Sequence, residues 1–301
     1  MKINKYYATA IAAFVIWGFI PFPLRALTGY PSGQILYFRI LVSVLSLLAI
    51  LFTFKRKEAK TTFRNYQLSS KVEKRKLLLL MLAGGLLLTA NWLIFIYVIN
   101  HISIQTASFS YLLCPILTAA LGFLILKEPL RINQWLAIGL SLLSCSLIGV
   151  ASFTNLLFSL LIAASYAFYL ISQRVLKDYD KIVLLTMQLL LAFIIIGPFY
   201  PYFRAEGAAI PDLKFFGFIS VLSLVFTVLP LFLNLFSLRE LSSGTIGILM
   251  YLNPIINFML AFLYFGEEAS MQQIIAYFLI FLSIILYNLR FHGKEKAAPL
   301  S

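Results

Sequence analysis

Of the 301 residues, 61% are hydrophobic and only 12% charged, with a mean hydropathy of +0.94. Soluble domains are roughly half apolar and a quarter charged, so no soluble core could hide this much apolar surface. The net charge of +13 sits in short segments between apolar runs, which excludes a nucleic-acid stripe and reads as a topology signal.

Continuous apolar runs recur along the chain, and at 1.5 Å rise per residue a run of about 20 spans the roughly 30 Å hydrocarbon core of a bilayer. They lack the period-two alternation of barrel strands. In chain order they predict helices at 6–27, 34–54, 76–99, 103–126, 132–150, 153–173, 182–203, 214–236, 244–265 and 271–289. The first run ends in IPFPLRAL without a small-residue cleavage site, so no cleaved signal is expected. Cys114 and Cys145 lie inside apolar runs and read as small hydrophobes.

Cations set the expected orientation. With the amino terminus inside, 20 of the 24 Lys and Arg fall in inner segments, nine of them between Lys55 and Lys76. Both termini and the basic loop at 55–76 are therefore expected on the cytoplasmic side of a bacterial-type inner membrane.

Shifting the chain on itself by 139 positions lays Ser103 to Leu147 on Ser242 to Leu286 with 15 identities in 45. Among these are Thr106 with Thr245, Pro115 with Pro254, Glu128 with Glu267 and Gln134 with Gln273. IAAFVIWGF at 11–19 lies on IAASYAFYL at 162–170. Five spans is an odd number, so a second copy enters the membrane upside down. The loop charges agree: KEPLR after the fourth span matches GEEAS after the ninth, which has no cation. The expected architecture is an all-α integral membrane protein, ten transmembrane helices in two inverted five-helix repeats around a central cavity. The first repeat covers 1–150, the second 151–290, and 291–301 is a cytoplasmic tail. Such inverted repeats are a recurrent plan of secondary transporters.

Polar and aromatic groups inside apolar spans mark candidate solute contacts, because an unpaired amide in hydrocarbon is costly. Pro115 and Pro254 interrupt the fourth and ninth spans at matching depth, each removing a helical hydrogen bond and leaving a free carbonyl. Around them fall Trp17, Asn91, Trp92, Tyr97, Tyr111, Tyr166, Tyr169, Gln188, Asn234, Tyr251, Asn253 and Asn257. Arg39 lies five positions into the second span, where a charge costs at least about 2.5 kcal/mol unless it snorkels or is paired. No Asp or Glu lies deep in any predicted span to pair with it. Its expected roles are an anchor that snorkels to the outer interface or a contact for an anionic solute. Tyr6, Tyr7, Tyr264 and Tyr287 near span ends read as an interfacial belt. Glu128 and Glu267 at helix ends read as caps or interhelix links. The lack of membrane carboxylates, with His101 the one group titrating near neutral pH, favours a facilitator over a proton pump.

Several of these segments resemble the drug/metabolite transporter superfamily, within its EamA group and in particular the RarD-like proteins. They are the Trp17–Gly18 pair, Arg39 in ILYFRIL, NWLIFIYVIN at 91–100, SYLLCPILTAALGFLILKEPLR at 110–131 and MYLNPIINFMLAFLYFGEE at 250–268. The chain departs at Ser110 and Cys114 beside Tyr111, where glycine and asparagine are expected. The resemblance implies ten helices in two inverted halves and export of a small metabolite or an amphipathic, amino-acid-like solute. The expected partners are that solute and the lipid bilayer, without nucleic acid, cofactor or metal; the oligomeric state is left open, a monomer being compatible. A membrane enzyme would need clustered His, Asp, Glu or Cys, and neither GxGxxG, P-loop nor HExxH occurs. A sensor or assembly protein without transport is the remaining alternative.

Overall fold

The computed structural model describes residues 5–27, 29–101, 104–148, 153–203, 211–264 and 270–289. The side chains of Asn257 and His101, together with Glu267 and His292, lie outside the described residues. Fifteen α-helices follow one another: α1 (Lys5–Gly18), α2 (Pro21–Arg25), α3 (Ser32–Thr53), α4 (Arg56–Leu68), α5 (Lys71–His101), α6 (Ile104–Leu126), α7 (Ile132–Ile148), α8 (Phe153–Val175), α9 (Lys181–Ile196), α10 (Tyr200–Phe203), α11 (Leu213–Ser223), α12 (Leu229–Ser237), α13 (Ser243–Leu249), α14 (Leu252–Leu263) and α15 (Met271–Asn288). Nine stretches among the described residues are long and apolar enough to cross a membrane. The 17-residue α7 is shorter, about 26 Å at 1.5 Å per residue, at the lower limit for a span.

Helix ends are set by local chemistry. Asp180 accepts from the Ile182 and Val183 amides at 3.0 and 3.1 Å, and Asp212 from Phe215 at 2.7 Å, so each satisfies donors that a first turn leaves open. Ser270 and Gln273 form a reciprocal capping box at α15, and the Gln273 carbonyl accepts from the Ser270 amide at 3.0 Å. Gln134 does the same for the Arg131 amide at 2.8 Å. These are the two glutamines paired by the 139-residue shift.

The broad pairings are α6 with α8 and α13, α5 with α8 and α9, α1 with α12 and α14, α3 with α9 and α11, and α7 with α15. α7 and α15 run antiparallel: Asn133 donates to the Leu286 and Leu289 carbonyls at 2.9 and 3.0 Å, while Ser144 reaches Ala276 at 2.8 Å. Close approach of α13 to α6 needs a small residue, since a side chain at Gly247 would meet the Pro115 carbonyl and Thr118. The main core gathers Phe14, Ile40, Cys114, Tyr166, Tyr169 and Leu235 from five helices. Apolar side chains such as Phe52, Leu124, Leu136 and Ile194 face outward all round, as a lipid-solvated surface requires.

Two expectations need correction. Tyr287 is not in an interfacial belt: it is buried against α13 and α7, because α15 packs there along its length. The two prolines also differ. Pro254 stands in the first turn of α14, where the ninth span is interrupted at Met250 and Tyr251. Its missing donor leaves the Met250 carbonyl to the Asn253 amide, at 3.1 Å. Pro115 lies inside α6, which continues through it without interruption.

Candidate solute-binding site

The eighth span supplies the geometry that the pattern of prolines in the fourth and ninth did not. Between α11 and α12, residues Leu224–Val228 form a π-helical segment, a feature in which one extra residue opens the hydrogen-bond ladder, frequently at functional sites. Pro230 follows. In an α-helix the Phe226 carbonyl would accept from the amide of residue 230, and proline has none to give. That carbonyl instead accepts from Trp17 Nε1 at 3.0 Å and lies 3.5 Å from Arg39 Nη2.

Arg39 is held on three sides. Its Nε donates to Thr227 Oγ1 at 2.6 Å, and that hydroxyl passes a hydrogen bond to the Leu222 carbonyl at 2.8 Å. Its guanidinium carbon stands 5.3 Å from the Trp92 ring centroid, within cation–π range. Its backbone carbonyl accepts from Ser43 and Ser223 hydroxyls at 2.7 and 3.0 Å, fixing α3 against the eighth span. The expectation that Arg39 snorkels to the outer interface is therefore corrected: the side chain turns into the bundle, where it finds donor-hungry oxygens that the π segment exposes. Tyr111 lies within electrostatic reach of Arg39, and its ring is 5.2 Å from that of Phe95.

Other expected contacts fall elsewhere. Asn91 donates to the Ile162 carbonyl and Ser165 hydroxyl at 2.9 and 3.2 Å, fully buried, as a link between α5 and α8. The Tyr166 and Tyr169 rings lie 5.8 Å apart, tilted by 38°, and Asn234 reaches the Tyr166 hydroxyl at 3.5 Å. Tyr251, at the break before α14, donates to the Leu112 carbonyl at 3.0 Å. Asn253 and Pro254 open α14, beside α1. Tyr97 is half exposed and lines a groove of about 720 Å³ with Tyr30, Gly33, Leu36, Leu93 and Tyr202. Leu36 lies one turn from Arg39, and Leu93 follows Trp92, so the groove borders the arginine cluster.

The family model for EamA-like transporters matches the chain twice, over residues 4–150 and 153–289. The chain belongs to the EamA-like transporter family. It is similar to an uncharacterized transporter of Pseudomonas aeruginosa, 27% identical over 297 residues that cover 95% of this chain and 94% of the other. It is also similar to the protein RarD of Salmonella typhi, 26% identical with 92% of each chain covered, and to RarD of Escherichia coli, 23% identical with the same coverage. A crystal structure with a TM-score of 0.75 and 13% identity covers 95% of this chain and 98% of its own, which shows a shared fold. This EamA-like protein is thus a multi-pass membrane transporter and not an enzyme.

Within this EamA-like chain, the residues of the candidate site that the sequence pattern did not single out are Phe226, Thr227 and Pro230. A signal existed, since a proline in an apolar span orphans the carbonyl four residues before it. Glu128 behaves as an interhelix link, as expected. Its carboxylate accepts from the Ser243 amide at 2.9 and 3.1 Å, at the start of α13, and from Arg174 Nε at 3.3 Å. Arg174 also donates to the Leu238 carbonyl.

Proposed function

We propose that this EamA-like transporter is a secondary carrier that moves a small metabolite, amphipathic or amino-acid-like, across the bacterial inner membrane by alternating access. Export is the direction that the family resemblance implies. The observation that carries the reading is the arginine cluster on the opened eighth span: Trp17 and Arg39 meet on a carbonyl freed by Pro230, with Trp92 against the guanidinium and Tyr111 within electrostatic reach of it. Irregular backbone inside a membrane bundle is tolerated where it is buried in protein or lines a cavity, and in transporters it marks the solute site.

Ten spans in two inverted halves fit the helix pairings. Exchanging each helix of the first family match with its counterpart in the second turns α1–α12 into α8–α5, α1–α14 into α8–α6 and α3–α11 into α9–α5. The pairs α3–α9, α6–α13 and α7–α15 turn into themselves. The antiparallel course of α7 and α15 supports inversion, and two interchangeable halves are what alternating access needs. The reading further takes Asn91, Tyr97, Pro115, Tyr166, Tyr169, Asn234, Tyr251, Asn253 and Asn257 as candidate contacts along the solute path.

Counterflow in proteoliposomes tests the reading. Vesicles loaded with a mixed metabolite extract should accumulate a labelled solute of the same class only when they contain the protein. Equal accumulation in protein-free vesicles for every class tried would reject a carrier.

A further inference from the structure

Among the described residues, Arg39 has hydrogen-bond partners only on one edge. Two of its five N–H donors are engaged, Nε with Thr227 and Nη2 with Phe226, and these lie on the side edge of the guanidinium plane. The end edge, where Nη1 and Nη2 present one N–H each in parallel, meets no acceptor among the described residues, and no described Asp or Glu comes within ion-pair distance. This is the edge that takes a carboxylate in a two-bond fork. A cation removed from water without a counter-charge is expensive in a membrane bundle, and Thr227 and Phe226 offer only neutral oxygens. Trp92 covers one face of the plane at 5.3 Å, and Trp17 and Tyr111 add apolar surface next to it.

We propose that Arg39 binds the carboxylate of an organic anion whose apolar part lies against Trp92, so that the solute supplies a counter-charge that no described residue offers. This rests on the carrier reading and narrows its substrate class. The groove beside Leu36 and Leu93 gives such an anion a path from the end of the bundle opposite α4. Thr227 has a positioning role: it consumes Nε and so turns the open fork away from the π segment.

The test uses the purified full chain in phosphatidylcholine nanodiscs and needs no variant at first. Binding of 4-phenylbutyrate and of 4-phenylbutyramide, nearly the same shape without the charge, is read from intrinsic tryptophan fluorescence, with alanine and hexanoate as a zwitterionic and an apolar aliphatic comparison. The carboxylate of 4-phenylbutyrate should bind about tenfold to a hundredfold more tightly than its amide, the range of a charged hydrogen-bond pair. Arg39→Gln should erase that ratio, and Arg39→Lys, which keeps the charge without the fork, should reduce it. Equal binding of acid and amide, or no carboxylate-dependent binding across the panel, overturns the proposal. Replacing a third of the lipid by phosphatidylglycerol separates a second source of the same chemistry. Loss of 4-phenylbutyrate binding there assigns the fork to a lipid headgroup and overturns the solute assignment. Counterflow that persists for uncharged solutes while acid and amide bind alike rejects this inference and leaves the carrier standing.

Discussion

Replacing Glu128 tests whether one carboxylate ties the first family copy to the second. Glu128 and Arg174 side chains are only 14% and 18% exposed, so neither is a surface pair whose worth water has erased. Glu128→Ala removes the acceptor for the Ser243 amide, at 2.9 and 3.1 Å, and for Arg174 Nε, at 3.3 Å. A lost helix cap costs about 0.5–2 kcal/mol and a lost charged hydrogen bond about 1.5–3 kcal/mol. The two overlap in one carboxylate, and Arg174 keeps the Leu238 carbonyl, so the expected total is about 2–4 kcal/mol. Thermal unfolding in detergent should then fall by roughly 4–16 °C, at about 2–4 °C per kcal/mol for a chain of this order of size. Glu128→Gln keeps an acceptor for Ser243 and should cost about half as much. In a double-mutant cycle Glu128→Gln with Arg174→Gln should be less damaging than the sum, by about 1–2 kcal/mol. A shift below about 1 °C for Glu128→Ala, or additivity within about 0.5 kcal/mol in the cycle, would refute the link.

Pro254 and Pro115 should separate: Pro254→Ala, in a first helical turn that tolerates either residue, should leave transport per inserted molecule nearly unchanged, whereas Pro115→Ala gives α6 a donor for the Tyr111 carbonyl and should lower it; equal effects in flux normalised to inserted protein would contradict this. Asp212 accepts from the Phe215 amide and then from the Tyr30 hydroxyl, at 2.7 and 3.0 Å, which holds its carboxyl below the ordinary range. A depressed carboxyl contributes stability above its unfolded pKa of about 3.9 and loses it as pH falls through the folded value. Asp212→Asn should accordingly flatten the acid limb of the stability profile from about pH 5 downward, through and below the unfolded value of about 3.9, and an unchanged limb would argue against the cap. A cysteine placed at residue 65, in the basic α4, should resist an impermeant thiol reagent in intact cells and react after permeabilisation; labelling from outside would reverse the orientation read from the cations.

Apolar runs and their breaks are local quantities, so the helical spans, the absence of strands among the described residues and the transporter family were readable from the chain alone. So was the repetition that pairs Gln134 with Gln273, because each glutamine acts on its own helix start three residues away. Asn91, Trp92 and Trp17 were identifiable as candidate inward residues by cost alone, since lipid offers their polar groups nothing, whereas Arg39 could equally have snorkelled outward. What each one touches was not. Arg39 meets Thr227, and Trp17 meets Phe226, across 188 and 209 residues of sequence, distances over which no periodicity speaks. Both partners become available because a π segment and Pro230 leave Phe226 without its backbone donor, and that depends on how span eight packs between α1 and α3. The two matched prolines make the same point: each forfeits one N–H, yet only the neighbours decide whether the helix breaks, as before α14, or runs on, as in α6.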